Sequence, residues 1–254
     1  MTAPALAVLI AAGTAYVAAT WRCRSPWPLA RTAAWLLGLA AAGVAVAGPA
    51  QVHHDLHAHM AGHLLLGMVA PLLLVLAAPV TLALRALPPA GARRLARLLR
   101  TPPARRLADP LVAVPLNAAG LWLLYGTGLH TALAGRPGPT AAVWLHLLVS
   151  GCLATASVLA VDPASHRRPV AVRAVALAGG AAAHDVLAKV LYAHPPAGTV
   201  GAEAGARLMY DGGTVLTLVT AALLWRRWYV SREAVRAARP QPASRPPHSG
   251  SRVG

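Results

Sequence analysis

The sequence predicts an all-α protein: a polytopic membrane helical bundle of about seven transmembrane helices, with the N-terminus outside and the C-terminus cytoplasmic. Three observations predict it. Of 254 residues, 57% are hydrophobic and 12% charged, with mean hydropathy +0.54, whereas a soluble domain carries about 25% charged residues. Apolar runs near the length of a bilayer crossing, about 20 residues, follow one another along the chain. Arginines fall in alternate connections between those runs. The formal charge of +16 comes from 23 Lys+Arg against 7 Asp+Glu. Because these basic residues lie between apolar runs rather than along one face, they do not point to nucleic acid. Cys23 and Cys152, far apart, imply neither a disulfide framework nor a Cys-x-x-Cys site.

The first span covers 3–20, too long and too poorly led by basic residues for a cleaved signal peptide. The second covers 31–48 and the third 60–84, with Pro71 and Pro79 inside it. Spans at 110–130, 140–161, 172–192 and 205–228 complete a seven-span domain over 1–230. The tail, 231–254, is rich in Pro, Ser and Arg and reads as a basic, disordered cytoplasmic segment. Arg22, Arg24 and Arg31 follow the first span, and Arg85, Arg93, Arg94, Arg97, Arg100, Arg105 and Arg106 follow the third. Arg167, Arg168 and Arg173 follow the fifth, and the tail opens at Arg226. The opposite connections hold no basic residue at 49–59 or 193–204, and only Arg136 at 131–139. Basic connections stay on the cytoplasmic side, which fixes the orientation.

That orientation sorts the histidines. The stretch leading into the third span carries His53, His54, Asp55, His57 and His59, and the span itself opens with Met60 and His63. His63, His146 and His184 each lie a few residues inward from an outer helix end, roughly 10 Å deep at 1.5 Å per residue. Met209 and Tyr210 reach the same layer from the seventh span. A polar side chain inside a span is costly and marks a functional hypothesis. His59 and His63 share one helical face at i, i+4, as do His53 and His57 if the helix extends outward. Imidazole with thioether suits Cu(I), and imidazole alone suits Cu(II), Zn or Ni. An oxidising outer face favours His and Met over Cys.

The candidate metal set is therefore His59, His63, His53, His57, Met60, His146, His184 and Met209. Plainer readings stand beside it. His146 or His184 alone is a helix-to-helix hydrogen bond as readily as a ligand. His53, His54 and His57 also fit a solvated loop, Met60 and Met68 fit packing, and Asp185 with Lys189 fits a buried ion pair. There is no His-Glu-x-x-His, P-loop or Gly-x-Ser-x-Gly element, so no enzyme is indicated and no catalytic residue is assigned. A haem held between His63 and His146 or His184 stays open. Against a copper pathway through the bundle, Thr81 is the one polar residue in the inner half of the third span.

Some stretches carry a resemblance. They are His59-Met-Ala-Gly-His63 continuing to Gly67-Met-Val-Ala-Pro71, Ala78-Pro79, Arg85-Ala-Leu-Pro88 and His146 through Gly151 to Asp162-Pro163. Ala183-His184-Asp185, Ala204 through Met209 to Gly213, and Trp225-Arg-Arg-Trp-Tyr229 complete the set. Over roughly 50–229 the chain resembles the CtaG-like cytochrome c oxidase assembly factors in their actinobacterial form. The first two spans and the tail match by hydropathy alone. The resemblance implies a multi-pass protein of the cytoplasmic membrane that is not an enzyme. It would help mature a haem–copper oxidase by binding copper, as Cu(I), at the outer face and handing it over. Cytochrome c oxidase subunits are the implied partners, beside the lipid bilayer that the spans themselves require, and a soluble copper donor is a further candidate. His59 and His63 match the family's signature pair, and His146, His184 and Met209 match its other polar positions. Where relatives carry an acidic residue and a glutamine before the Gly–Met segment of the last span, this chain has Glu203 and no glutamine. Copper transport, a haem-binding cytochrome and a metal-free scaffold are the rival readings.

Overall fold

The apolar runs fold as helices whose ends are set by proline. The computed structural model describes residues 2–23, 25–48, 55–133, 136–163, 167–196 and 198–237, without the side chains of 130, 131, 137 and 234–237. Helices α1 (Thr2–Trp21) and α2 (Leu29–Ala47) form the first pair. Helix α3 (Leu56–Leu64) passes through one turn of π-helix (Leu65–Val69) into α4 (Ala70–Leu76). Three short helices follow, α5 (Pro79–Ala86), α6 (Pro89–Leu99) and α7 (Pro102–Leu107). Helix α8 (Pro110–Leu121) ends in a second π turn (Trp122–Gly126), and a short α9 (Leu129–Leu133) leads on. The last three are α10 (Pro137–Leu159), α11 (Val170–Ala193) and α12 (Ala202–Ala237). Proline opens α5, α6, α7, α8 and α10, a position where its fixed φ suits the helix and its missing N–H costs nothing.

Among the described residues six helices are long and apolar enough to cross a bilayer: Thr2–Trp21, Leu29–Ala47, Leu56–Leu76, Gly138–Leu159, Val170–Ala193 and Ala202–Glu233. Pro110–Gly126 is a shorter apolar helix. The chain is an all-α, multi-pass membrane protein. The α3–α4 helix is its axis. Of the Leu56–Leu76 window 56% is buried, against 11% for Thr2–Trp21. It packs on α2, α10 and α12, while α11 bridges α12 and α8.

The third expected span, 60–84, is interrupted. The helix stops at Leu76, Ala78 takes a left-handed conformation (φ 54°), and α5 begins at Pro79. The proline ring disfavours the α conformation at the residue before it. Ala77 would leave its carbonyl bare, but the Tyr16 hydroxyl donates to it at 2.8 Å, and Trp27 Nε1 donates in turn to Tyr16 at 3.0 Å. Asp162, beyond α10, caps the restart. It accepts from the backbone N–H groups of Val80 (3.3 Å) and Thr81 (2.7 Å) and from the Thr81 hydroxyl (2.6 Å). Pro71 has a related effect one segment earlier. It cannot donate to the Gly67 carbonyl and would clash with it. The π turn lies at that point, and the carbonyl lies against Gly151 of α10.

The fourth expected span, 110–130, ends early at the π turn, with Gly128 (φ 70°) before α9. At the other extreme α12 runs on to Ala237, through the first residues of the segment read as a disordered tail. Residues 238–254 lie outside the described part. Arg168 clamps Asp109 through Nε (2.9 Å) and Nη2 (2.6 Å), joining the starts of α11 and α8. At the opposite end Leu56 N–H donates to the Val200 carbonyl at 2.9 Å. Asp162→Ala should lower the stability of the detergent-solubilised protein by about 1–3 kcal/mol, read as a lower thermal unfolding midpoint. An unchanged midpoint would remove Asp162 as the latch on α5.

Candidate metal centre

The site is built from α3 outward. Asp55 caps this helix, its Oδ1 accepting from His57 N–H (2.9 Å) and Ala58 N–H (3.3 Å). The cap fixes the register in which His59 and His63 share a face, four residues apart. His59 is half-buried, and its Nε2 lies 3.1 Å from the Tyr125 hydroxyl. His63 is 3% exposed. The Tyr125 ring stands edge-on to both imidazoles, with centroids 5.8 Å from His59 and 5.6 Å from His63. His184 of α11 closes the group, its ring 5.8 Å from that of His63 and tilted by 16°.

Helix packing positions these rings. Trp122 Nε1 donates to the Ala183 carbonyl at 3.1 Å, holding α11 against α8 one residue before His184. A Cβ on Gly213 of α12 would collide with the His184 imidazole, so glycine there lets the two helices close around the ring. Tyr125 lies in the second π turn and His63 two residues before the first. Such turns recur at functional sites because they re-aim a helix face.

The polar atoms do not balance. Among the described residues His63 Nδ1, His63 Nε2 and His184 Nε2 are buried without a hydrogen-bond partner. His184 Nδ1 is 3.8 Å from Asp185 Oδ1, too far for a hydrogen bond. A buried polar atom left unpaired costs about 1–3 kcal/mol, and a native protein that carries one usually needs it. A cavity of about 100 Å³ opens on His63 and His184 and continues past Asn117, Thr155, Thr217 and Thr220. Neutral imidazole nitrogens facing a small cavity fit a soft or borderline cation. They do not enclose one: among the described residues no three His, Cys, Asp or Glu side chains come together at metal-holding distances.

The remaining sequence candidates fall elsewhere. His57 is exposed at the helix mouth, and His53, with His54, lies outside the described residues. Met60 and Met209 are completely buried in one core cluster with Leu56 and Leu187. His146 is exposed on α10, against Gly120 of α8, and it does not line the cavity. Met68 lines it. Asp185 and Lys189 make no ion pair among the described residues. The Lys189 ammonium reaches instead over the Tyr210 ring, 5.3 Å from its centroid, a long side chain carrying its charge out of the core. Tyr125 was missed because one tyrosine in Trp122-Leu-Leu-Tyr-Gly126 reads as an interfacial anchor. Its spacing carries no signal of the π turn that aims it.

If the bare nitrogens are a stability cost, His63→Leu should stabilise the metal-free protein by about 1–3 kcal/mol, seen as a higher unfolding midpoint. Gly213→Ala should shift the His184 imidazole resonances, whereas Gly179→Ala, where a Cβ meets nothing within 4 Å, should leave them in place. A lower midpoint for His63→Leu would mean that the imidazole is satisfied.

Comparison with known proteins fits this architecture. Residues 14–231 match the family model described as cytochrome c oxidase caa3 assembly factor. The match takes in the end of α1 and all of α2, which the motif resemblance had left to hydropathy. Two mycobacterial proteins, the uncharacterized Mb0105 of Mycobacterium bovis and the uncharacterized MT0111 of Mycobacterium tuberculosis, are each 36% identical over 179 residues. The aligned part is 65% of this chain and 26% of theirs, so the chain spans about a quarter of the length of the curated relatives it matches. No solved structure matches it significantly. With 14–231 matched, well over half of its length, the chain belongs to the caa3 cytochrome c oxidase assembly factor family.

Proposed function

We propose that this protein is a cytoplasmic-membrane assembly factor for a haem–copper cytochrome c oxidase, receiving Cu(I) on His63 with His59 or His184 beside it and handing it to an oxidase subunit. Family membership supports the pathway. The copper part is carried by one observation, the buried imidazole nitrogens of His63 and His184 with no protein partner. Copper here is cargo. An ion on two imidazoles keeps an open side where an acceptor's ligand can enter before the donor's ligand leaves. Exchange of this kind moves the ion without changing its oxidation state. A closed four-ligand cage would hold it too long. His57, exposed at the mouth, would meet a soluble donor first; the Asp55 cap ends the helix there, so it does not run on to pair His57 with His53, which lies outside the described residues. Met60, next to His59, and Met209, early in the last helix, are the thioethers that the sequence offers as further ligands. His146 lies off the path.

The reading includes seven crossings, with the N-terminus outside and the C-terminus cytoplasmic. Arginine-rich connections follow the first, third and fifth runs, as the positive-inside rule requires. Pro110–Gly126 would then cross despite its length, at about 1.5 Å per residue spanning most of a hydrocarbon core about 30 Å thick. The Arg168–Asp109 and Asp162–Thr81 contacts support this, since they join the connections that the rule assigns to one side. Transport is the second reading, because the cavity continues past the histidines to Thr217 and Thr220.

Three strains separate these readings: wild type, deletion, and His59→Ala/His63→Ala with the protein shown to insert. The double variant should lose oxidase copper and activity by about tenfold or more, the scale seen when metal ligation is damaged. Full activity in the double variant, with loss in the deletion, would make the protein a metal-free scaffold. Uptake of copper into proteoliposomes by wild type, abolished in the variant, would favour transport.

A further inference from the structure

The other end of the bundle holds a cluster that the copper reading does not use. Four arginines from three segments converge there: Arg167 from the connection after α10, Arg173 from the first turn of α11, and Arg226 and Arg227 from α12. With Trp228 and Ser231 they line a recess of about 360 Å³. Backbone carbonyls hold three of them in place. Arg227 donates through Nε to Leu159 and through Nη2 to Ala160, both at 3.2 Å. Arg173 donates through Nη1 to Val158 at 2.9 Å, and Arg167 through Nη2 to Asp162 at 3.3 Å. Helix α10 turns at Ala160 through a left-handed residue (φ 46°).

Tethered in this way, the guanidinium groups keep most of their N–H donors. Among the described residues none of the four pairs with a carboxylate. Asp162, the nearest acid in sequence to Arg167 and Arg173, has carboxylate oxygens that accept from Val80 and Thr81, and Glu233, the nearest to Arg226 and Arg227, makes no ion pair among the described residues. Asp109 is taken by Arg168. Arg173 Nε is buried without any hydrogen-bond partner. Arginines that serve only to orient a membrane protein need lie in a connection, facing water. Four that are drawn together against mutual repulsion, one with a buried donor unfilled, make a fork-shaped receptor for an oxyanion.

We infer that this recess is a binding site for a phosphate group. The level suits a lipid headgroup: Trp225 and Tyr229, 57% and 60% exposed, flank it as aromatic side chains do at a membrane interface, and basic pockets between helices bind anionic headgroups. A free or soluble-metabolite phosphate has the same recognition chemistry.

The test uses the full chain in neutral detergent, titrated with dioctanoyl phosphatidylglycerol, dioctanoyl phosphatidylcholine and inorganic phosphate, with native mass spectrometry and unfolding midpoint as readouts. The phosphatidylglycerol should bind saturably and raise the midpoint, the zwitterionic lipid at least about tenfold more weakly. Phosphate displacing the lipid would assign the shared group as the ligand. Phosphate binding as tightly as the lipid would make the source soluble. Arg226→Gln, which breaks no hydrogen bond drawn above, and Arg173→Gln should each weaken binding by about tenfold. Arg93→Gln/Arg94→Gln, removing charge from α6, should not. Binding lost equally in that control, binding unchanged in Arg226→Gln, or no saturable binding of either phosphate probe would overturn the site.

Discussion

Within a bilayer each polar group has to find its partner inside the protein, because the surrounding hydrocarbon offers none. Most of this structure follows from that constraint. Where Pro79 breaks the central helix, Tyr16 covers the Ala77 carbonyl and Asp162 caps the restart. Where α10 ends in a left-handed turn, Arg227 covers the Leu159 and Ala160 carbonyls. Ser150 donates to Asn117 at 2.8 Å, so that even a lone amide between α10 and α8 is engaged. Against this background the bare nitrogens of His63 and His184 stand out. They are the departures from the constraint that a bound cation would remove.

Proximity comes from small residues rather than from hydrophobic force, since lipid tails are as apolar as leucine and helices in a membrane associate by close packing. Gly151 of α10 meets the Gly67 carbonyl, and Gly213 of α12 leaves the space that His184 fills. The two π turns act with these glycines, one beside His63 and one carrying Tyr125. Tyr125 therefore owes its aim to backbone irregularity, whereas His184, within the regular helix α11, is placed by helix packing.

Depth was legible in the sequence, and facing was not. Hydropathy located the helices, and residue counting put His63, His146 and His184 in one layer. Which way each ring points depends on the rotation of its helix. An inserted residue in a π turn changes that rotation with no mark in composition. Hence His63 and His184 meet, while His146 turns outward over Gly120. The interruption at Ala78 was hidden for a different reason. Pro71 and Pro79 look alike in an apolar run, but Pro71 sits in the first turn of a helix segment and Pro79 starts a new one. Asp162 and Arg227, which secure the arginine-rich end, act across 68 to 82 residues of chain, a range that local pattern does not reach.

X-ray absorption at the copper edge, on the purified wild-type protein loaded with Cu(I), tests the central claim most directly. The account predicts about one retained ion with nitrogen neighbours and the multiple-scattering pattern of imidazole, lost in His63→Leu. A shell of sulfur alone would move the site to Met60 and Met209. Failure to retain copper at all would contradict the account and leave the buried histidines to a structural role.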